Sequence, residues 1–287
     1  MTDLTALRGR HELAGLAAQF DLPEGEPRGT VLLVPPFGVS ADSLFMPAYV
    51  LTANGFRVIR FDPRNHVGHS AGDMYDFTLT SCAEDVAAVL AAADVDVIVG
   101  FSLAAPSVLR ACIRLDVETP VVMAAGVVNM RHTLREVLDT DYFTEQASDH
   151  VLVLGEDVNG AAFIDDCRAF GAVEWKDTVA DGEKVRSPLT WIAGTEDPWV
   201  LFDEVTEFAR GRTAGTTEVV PVPVGTHQFN LNPTIAFTYT KVILDACLRL
   251  TGSEEEGRMP PLHEAIAARK AQAKLEAAQA RTEELSA

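Results

Sequence analysis

Strand signals and helix signals alternate along this chain, and no other feature constrains its fold as tightly. TVLLV (30–34), FRVIRF (56–61), VDVIVG (95–100), PVVMAA (120–125) and LTWIAG (189–194) are short apolar runs rich in Val, Ile and Leu. Each is bounded by Gly, Pro, Asp or Asn. A strand with one wet face would alternate apolar with polar residues. Unbroken runs instead fit strands covered on both faces of a parallel sheet. Helical stretches lie between them, at 42–54, 80–93 and 103–115, with TEVVPVPV (217–224) as the last strand and 233–250 as a closing helix. That alternation specifies an α/β architecture with a doubly wound, mostly parallel sheet. The first 20 residues carry weaker signals and are expected to be irregular or an edge strand.

Two segments break the rhythm. Residues 129–186 separate two core strands by far more than a crossover needs, and they are rich in Asp, Glu, His and aromatics. An excursion of that length at that point reads as a helical cap over a site. Residues 252–287 run from GSEEEG through Met259-Pro260-Pro261 into an Ala/Glu/Lys/Arg/Gln-rich stretch. They have good helix propensity but little apolar face, which describes a charged, solvated helical tail following a main domain at 1–251.

Composition excludes several classes of function. The formal charge of −19 leaves no basic face for nucleic acid and disfavours an anionic membrane surface. No apolar run reaches the length of a membrane span, and the N-terminus lacks the apolar core of a secretory signal. Cys82, Cys112, Cys167 and Cys247 are widely spaced, with no CxxC and no Cys/His cluster. Cysteines so placed suit buried thiols and a cytoplasmic location.

Chemistry concentrates at VDVIVG-F-Ser102-L-A-A-P, which runs from a strand through Ser102 into a helix. A central serine in such a turn is a nucleophile elbow, the tight turn that lifts a hydroxyl above the sheet edge in the α/β-hydrolase fold. Gly100 keeps the first small position, Ala104 stands where glycine is usual, and Pro106 falls in the first helical turn. The backbone N–H of Leu103 is then one oxyanion donor, and by position Phe37 N–H, in the PPFG loop after the first strand run, is the second. An ordinary strand–helix junction that carries a serine is the alternative.

Chain order favours the elbow. In this fold acid and base follow the nucleophile. Asp197 lies just beyond the strand run WIAG, and His227 just beyond PVPV, both at the carboxyl edge that carries Ser102. Serine needs a neutral imidazole to take its proton, and the imidazole needs a buried carboxylate to fix its tautomer. Glu196 would replace Asp197 if the turn were rotated. His11 and His263 fall outside the core, and His132 and His150 in the cap. His66 and His69, in DPRNHVGHSAGD, follow a strand at the same edge and are placed to line a pocket. No histidine cluster asks for a metal, and the chemistry calls for no cofactor.

The blocks NGFRVIRFDPRNHVGHSAGDMYDFTL (54–79), GVVNMRHTL (126–134) and TEDPWV (195–200) resemble the acyl transferase of bacterial bioluminescence systems. That family consists of α/β-hydrolase acyl-thioesterases that release long-chain fatty acid from acyl carrier protein. The resemblance spans most of 30–250 and implies catalytic roles for Ser102, Asp197 and His227. The family also lacks the second glycine after its serine. PPFG and the cap's composition depart from the family, so chain preference and pathway do not carry over.

The expected activity is therefore acyl transfer or thioester hydrolysis through an acyl-Ser102 intermediate. A carboxylesterase on free esters, or a non-hydrolytic binding or cyclising protein, stays open beside it. His66, Arg131, Phe143 and Phe163 are candidate substrate contacts, with Met130, Leu134, Leu138, Tyr142 and Phe170 lining the cap pocket. Acyl carrier proteins are acidic, so docking one on a chain of −19 asks for a local basic patch, for which Arg64, Arg131 and Arg135 are the candidates. Arg131 matches an arginine of the family. Pairing of these arginines with nearby carboxylates is the competing expectation.

Overall fold

The computed structural model describes residues 7–228, 231–261, 263–271 and 274. A tight hairpin opens the fold: β1 (Gly9–Leu13) and β2 (Leu16–Asp21) pair antiparallel across Ala14-Gly15. Both turn residues have positive φ, 55° and 82°, the geometry that matches a hairpin's right-handed twist. These strands join β3 (Thr30–Val34), β4 (Arg57–Phe61), β5 (Val97–Phe101), β6 (Val121–Ala124), β9 (Leu189–Gly194) and β10 (Thr217–Val222) in one sheet. Its order is β1-β2-β4-β3-β5-β6-β9-β10, parallel from β4 to β10. β2 meets β4 antiparallel and lies inside the sheet, which the weak N-terminal signal did not anticipate.

Every residue of β3, β5, β6 and β9 is buried, because helices cover both faces. Alternate strand residues point to opposite faces and divide the interior in two. Leu32, Val34, Ile98, Val121, Met123 and Trp191 face α2 (Leu79–Ala92) and α3 (Ala104–Leu115). Val31, Leu33, Val97, Val99, Val122 and Ile192 face α1 (Phe45–Ala53) and α8 (Pro233–Leu250). Each such Val, Leu or Ile contributes about 1.5–3 kcal/mol of burial.

Strand order reverses between β3 and β5: β4 lies to one side of β3, and β5 and β6 to the other. The loops that leave the carboxyl ends of β3 and β5 therefore diverge, and such a crevice is where open α/β sheets bind ligands.

The excursion at 129–186 contains α4 (Met130–Leu138), an antiparallel hairpin of β7 (Val151–Val153) and β8 (Glu156–Val158), α5 (Gly160–Phe170) and α6 (Trp175–Gly182). The hairpin was not expected in a helical cap. Asn129 and Asn159 cap their helices by accepting from His132 N and Ala162 N at 3.2 and 3.0 Å. Met130, Leu134, Phe163 and Phe170 are buried in the same core as α2 and α3.

Beyond α8 the chain returns to α1. Arg258 N donates to Asn54 Oδ1 and Asn54 Nδ2 to Arg258 O, both at 2.8 Å, and Arg28 pairs with Glu255. Residues 263–271 are helical, with Ala265 buried and the Arg269 guanidinium 5.4 Å from the Phe45 ring. This part of the tail is anchored through contacts its composition does not advertise. Residues 262, 272–273 and 275–287 of the expected tail lie outside the described residues.

Candidate active site

Ser102 sits between β5 and α3 with φ of 49°, a conformation that costs an L-residue about 1–2 kcal/mol. The surroundings over-determine it. Ser102 N donates to Ala124 O at 3.0 Å, and Ser102 O accepts from Ala105 N and Val127 N at 3.1 and 3.0 Å. A Cβ on Gly100 would stand 3.1 Å from Met123 Sδ and 3.2 Å from Val108 Cγ2, so helix and strand approach closely only over a glycine. Ala104 is buried in the helix start without disturbing the turn.

The loops after β9 and β10 are stitched to each other. Glu196 N donates to Gly225 O at 3.0 Å, Thr195 N to Val222 O at 3.1 Å, and Val224 N to Thr195 Oγ1 at 3.1 Å. A Cβ on Gly194 would lie 2.2 Å from Gly225 O, so glycine is required at that contact. This stitching sets Asp197 beside His227. Asp197 Oδ1 accepts from Trp199 N and Val200 N at 2.9 and 3.0 Å, which leaves Oδ2 for His227 Nδ1 at 2.9 Å. His227 Nε2 reaches Ser102 Oγ at 2.6 Å. The Asp197 side chain is 0% exposed and that of His227 7%. Glu196 is exposed, so the turn presents Asp197 to the imidazole.

With Nδ1–H donating to Asp197, Nε2 is left to accept the serine proton, which is the arrangement nucleophilic attack by serine needs. The Trp199 ring lies 4.7 Å from that of His227. Cap helix α4 holds this turn: His132 Nε2 meets Pro198 O at 2.9 Å, and Thr133 Oγ1 donates to Trp199 O at 2.6 Å. Neither role was legible from the residues alone.

Next to Ser102, Leu103 N–H stands at the start of α3, where backbone donors lack helical partners. Phe37 lies in the loop after β3, its ring packed against Phe77 and His66 with centroids 5.4 and 6.3 Å away. Buried polar groups from the end of β4 hold this loop. Gly38 N donates to His66 Nε2 at 3.1 Å, Ala41 N to Asp62 Oδ1 at 2.7 Å, and Arg60 Nη1 to Ala41 O at 2.7 Å. Arg60 is itself paired with Asp21 at 2.9 Å. A sequence signal for this network existed in the glycines of VGHSAG. A Cβ on Gly68 would fall 2.1 Å from Asp62 Cγ, and one on Gly72 1.9 Å from Asn65 Oδ1.

Two candidate substrate contacts change role. His66 is 5% exposed, with Nε2 accepting from Gly38 and Nδ1 3.3 Å from Val67 O, so it props a loop instead of facing a ligand. Burial lowers its pKa to about 4 and keeps the ring neutral. Arg131 donates from Nε and Nη2 to the Asp141 carboxylate and from Nη1 to Glu174, and these bonds raise its pKa. Arg64 pairs with Asp85 and Glu84, and Arg135 with Glu136. The expected basic patch is thus neutralised by carboxylates. Phe163 is buried with its ring 6.1 Å from Phe77, in the aromatic layer behind Phe37. Phe143 is half-buried under the Arg168 guanidinium. Among the described residues no three His, Cys, Asp or Glu side chains are grouped so as to hold a metal ion.

A family described as acyl transferase matches residues 24–251. This chain belongs to that family. An acyl transferase of Shewanella woodyi is 26% identical over 229 residues, covering 77% of this chain and 75% of the relative. One from Photorhabdus laumondii is 24% identical over 231 residues, covering 78% and 75%. Among solved structures, Est1E from Butyrivibrio proteoclasticus with bound ferulic acid superposes with a TM-score of 0.67 at 17% identity, over 84% of this chain and 98% of that one. Monoacylglycerol lipase of Paleococcus ferrophilus gives 0.63 at 15%, over 82% and 99%. These likenesses show the α/β-hydrolase fold. The resemblance drawn from the sequence blocks therefore holds, and this acyl transferase family member is an α/β-hydrolase-type enzyme. No helix among its described residues is long and apolar enough to cross a membrane.

Proposed function

We propose that this enzyme takes an acyl group from a thioester, on acyl carrier protein or coenzyme A, through an acyl-Ser102 intermediate. The observation that carries the reading is the unbroken hydrogen-bonded chain from Ser102 Oγ through His227 to Asp197. His227 Nε2 takes the serine proton as Oγ attacks the thioester carbonyl. Leu103 N–H and Phe37 N–H receive the developing oxyanion. Collapse expels the thiolate, which takes the proton back from His227, and leaves the ester on Ser102. Water or another acceptor, deprotonated by His227, then releases the acyl group. The apolar layer of Phe37, Phe77 and Phe163 beside the crevice suits an aliphatic chain. Four buried free thiols suit the reducing cytoplasm, where we place the enzyme.

A fluorophosphonate probe read by intact mass tests the nucleophile: one adduct on the wild type and none on Ser102→Ala. Rates on acyl-CoA, acyl-carrier and p-nitrophenyl esters then test the substrate class. Higher kcat/KM on thioesters supports the proposal. A preference for free esters makes the enzyme a carboxylesterase, and absence of the adduct removes serine chemistry altogether.

A further inference from the structure

We propose that His66 is a positioning residue that sets the second oxyanion donor by accepting the Gly38 N–H at Nε2. The inference rests on the acyl-Ser102 reading for its catalytic meaning, but the contact is independent of it. Phe37 and Gly38 are adjacent in the loop leaving β3, so fixing the Gly38 N–H orients the peptide that follows Phe37 and limits rotation of the one before it. Gly38 has φ of 68°, a conformation that side-chain-bearing residues adopt at a cost, so the turn draws its stability from what holds it.

The bond has a defined direction. A backbone N–H can only donate, so Nε2 must carry a lone pair, and the ring hydrogen then sits on Nδ1, facing Val67 O at 3.3 Å. Burial, which disfavours the imidazolium, supports the same protonation state. The ring is fixed by its neighbours as well: Phe77 lies 5.4 Å from it centroid to centroid, and the Phe37 ring stands perpendicular to it at 6.3 Å. One side chain thus packs against the Phe37 ring and accepts the next residue's amide. No direct contact with substrate is needed for this role, and the burial of His66 argues against one.

Three proteins test the proposal. His66→Gln keeps an acceptor at the reach of Nε2. His66→Phe keeps a planar ring but removes the acceptor. Should the phenylalanine variant not fold, His66→Asn, whose carbonyl stops short at the Nδ1 position, replaces it. Thermal melting establishes that each variant is folded. Measured quantities are amide exchange at Gly38, kcat and KM on a neutral p-nitrophenyl ester, and the Ki of a trifluoromethyl ketone that binds as a tetrahedral adduct.

In the phenylalanine variant kcat is expected to fall about ten- to a hundredfold, less than outright loss of an oxyanion donor, with KM within about threefold. Ketone affinity should fall by the same factor, and Gly38 exchange should accelerate. The glutamine variant should stay within about threefold of wild type in each. Wild-type kcat and ketone affinity in folded His66→Phe overturn the proposal. So does a glutamine variant as impaired as the phenylalanine one, because then the ring and not the acceptor matters. If the fluorophosphonate fails to label Ser102, the acyl-enzyme reading falls. Gly38 exchange still decides the brace, and unchanged protection in folded His66→Phe ends it.

Discussion

The two walls of the crevice are built on opposite principles. On the β5 side, Ser102 is placed by main-chain hydrogen bonds and close packing: its N–H meets Ala124 O, its carbonyl meets Ala105 N and Val127 N, and Gly100 lies under Met123 and Val108. On the β3 side, the loop carrying Phe37 is placed by buried polar groups, Arg60, Asp62 and His66, each bonded to its backbone. The first kind of wall tolerates changes of pH and salt, because none of the groups that build it titrates. A polar wall is directional but depends on every partner being present, since an orphaned buried group costs about 1–3 kcal/mol. Ser102 is thus fixed by main-chain bonds and packing, and the loop carrying Phe37 by buried polar side chains.

The largest expected effect lies in the turn after β9, which meets the first wall through His227 and Ser102. Asp197→Asn removes no packing volume but favours the wrong imidazole tautomer, and turnover should fall about 10⁴-fold with the melting temperature nearly unchanged. Glu196→Gln, on an exposed side chain of the same turn, should leave steady-state rates close to wild type. A large loss from Glu196→Gln and a small one from Asp197→Asn would reverse the reading of that turn.

This division also explains what the sequence made legible. The β3 and β9 runs coincide with their predicted strands, and α8 with its predicted helix, because aliphatic runs and helical periodicity report burial directly. Ser102, Asp197 and His227 were legible because each follows a recognisable strand in an order the fold imposes. The β7–β8 hairpin escaped, since two three-residue strands, one of them Glu156-Asp157-Val158, carry too short a pattern. His66 and Arg131 were read as candidate substrate contacts; in the fold His66 accepts from the Gly38 amide, and Arg131 meets carboxylates, which was the competing expectation for it. A titratable side chain at an edge announces that it must be satisfied, not by what. Only the fold shows that Gly38 meets one and Asp141 the other.

Breaking the polar wall should cost stability before activity. Arg60→Met keeps the side chain's bulk yet leaves Asp21 and Ala41 O without their donor. Removing one partner of a buried pair typically costs about 3–5 kcal/mol. Asp21 retains 19% side-chain exposure, so a value at the lower end is expected in urea unfolding. A change under about 1 kcal/mol would show that the loop is held by packing after all, and would erase the contrast between the walls.

A pH experiment separates the walls with a smaller effect. His66 titrates near 4 in the folded protein against an ordinary 6.5, so between those values the unfolded chain binds a proton that the folded one does not. The His66 contribution to stability therefore falls as pH drops from about 6.5 to about 4, by roughly 3 kcal/mol at about 1.4 kcal/mol per unit. His66→Gln cannot titrate and should lack this part of the acid slope. Urea midpoints measured across that range give the difference, and parallel curves for the two proteins would mean that His66 gains its proton equally in the folded and unfolded chains, so that the Gly38 N–H loses its acceptor in that range.

The smallest effect concerns the surface outside both walls, where the arginines are already taken. Arg131 is engaged by Asp141 and Glu174, Arg64 by Asp85 and Glu84, so neither offers a free charge to an acidic carrier. At −19 the enzyme and such a carrier repel each other at long range. Salt shortens that repulsion to about 10 Å at 0.1 M ionic strength, so kcat/KM on a carrier-bound acyl group should rise severalfold between low and moderate salt. A neutral p-nitrophenyl ester should show no such rise. Arg131→Ala should change both substrates alike, because its loss loosens α4 against the Glu174 cap of α6 without removing a docking contact. A rate that falls with salt, together with a KM increase confined to the carrier substrate, would return Arg131 to the docking surface and make its ion pairs ones that the carrier displaces.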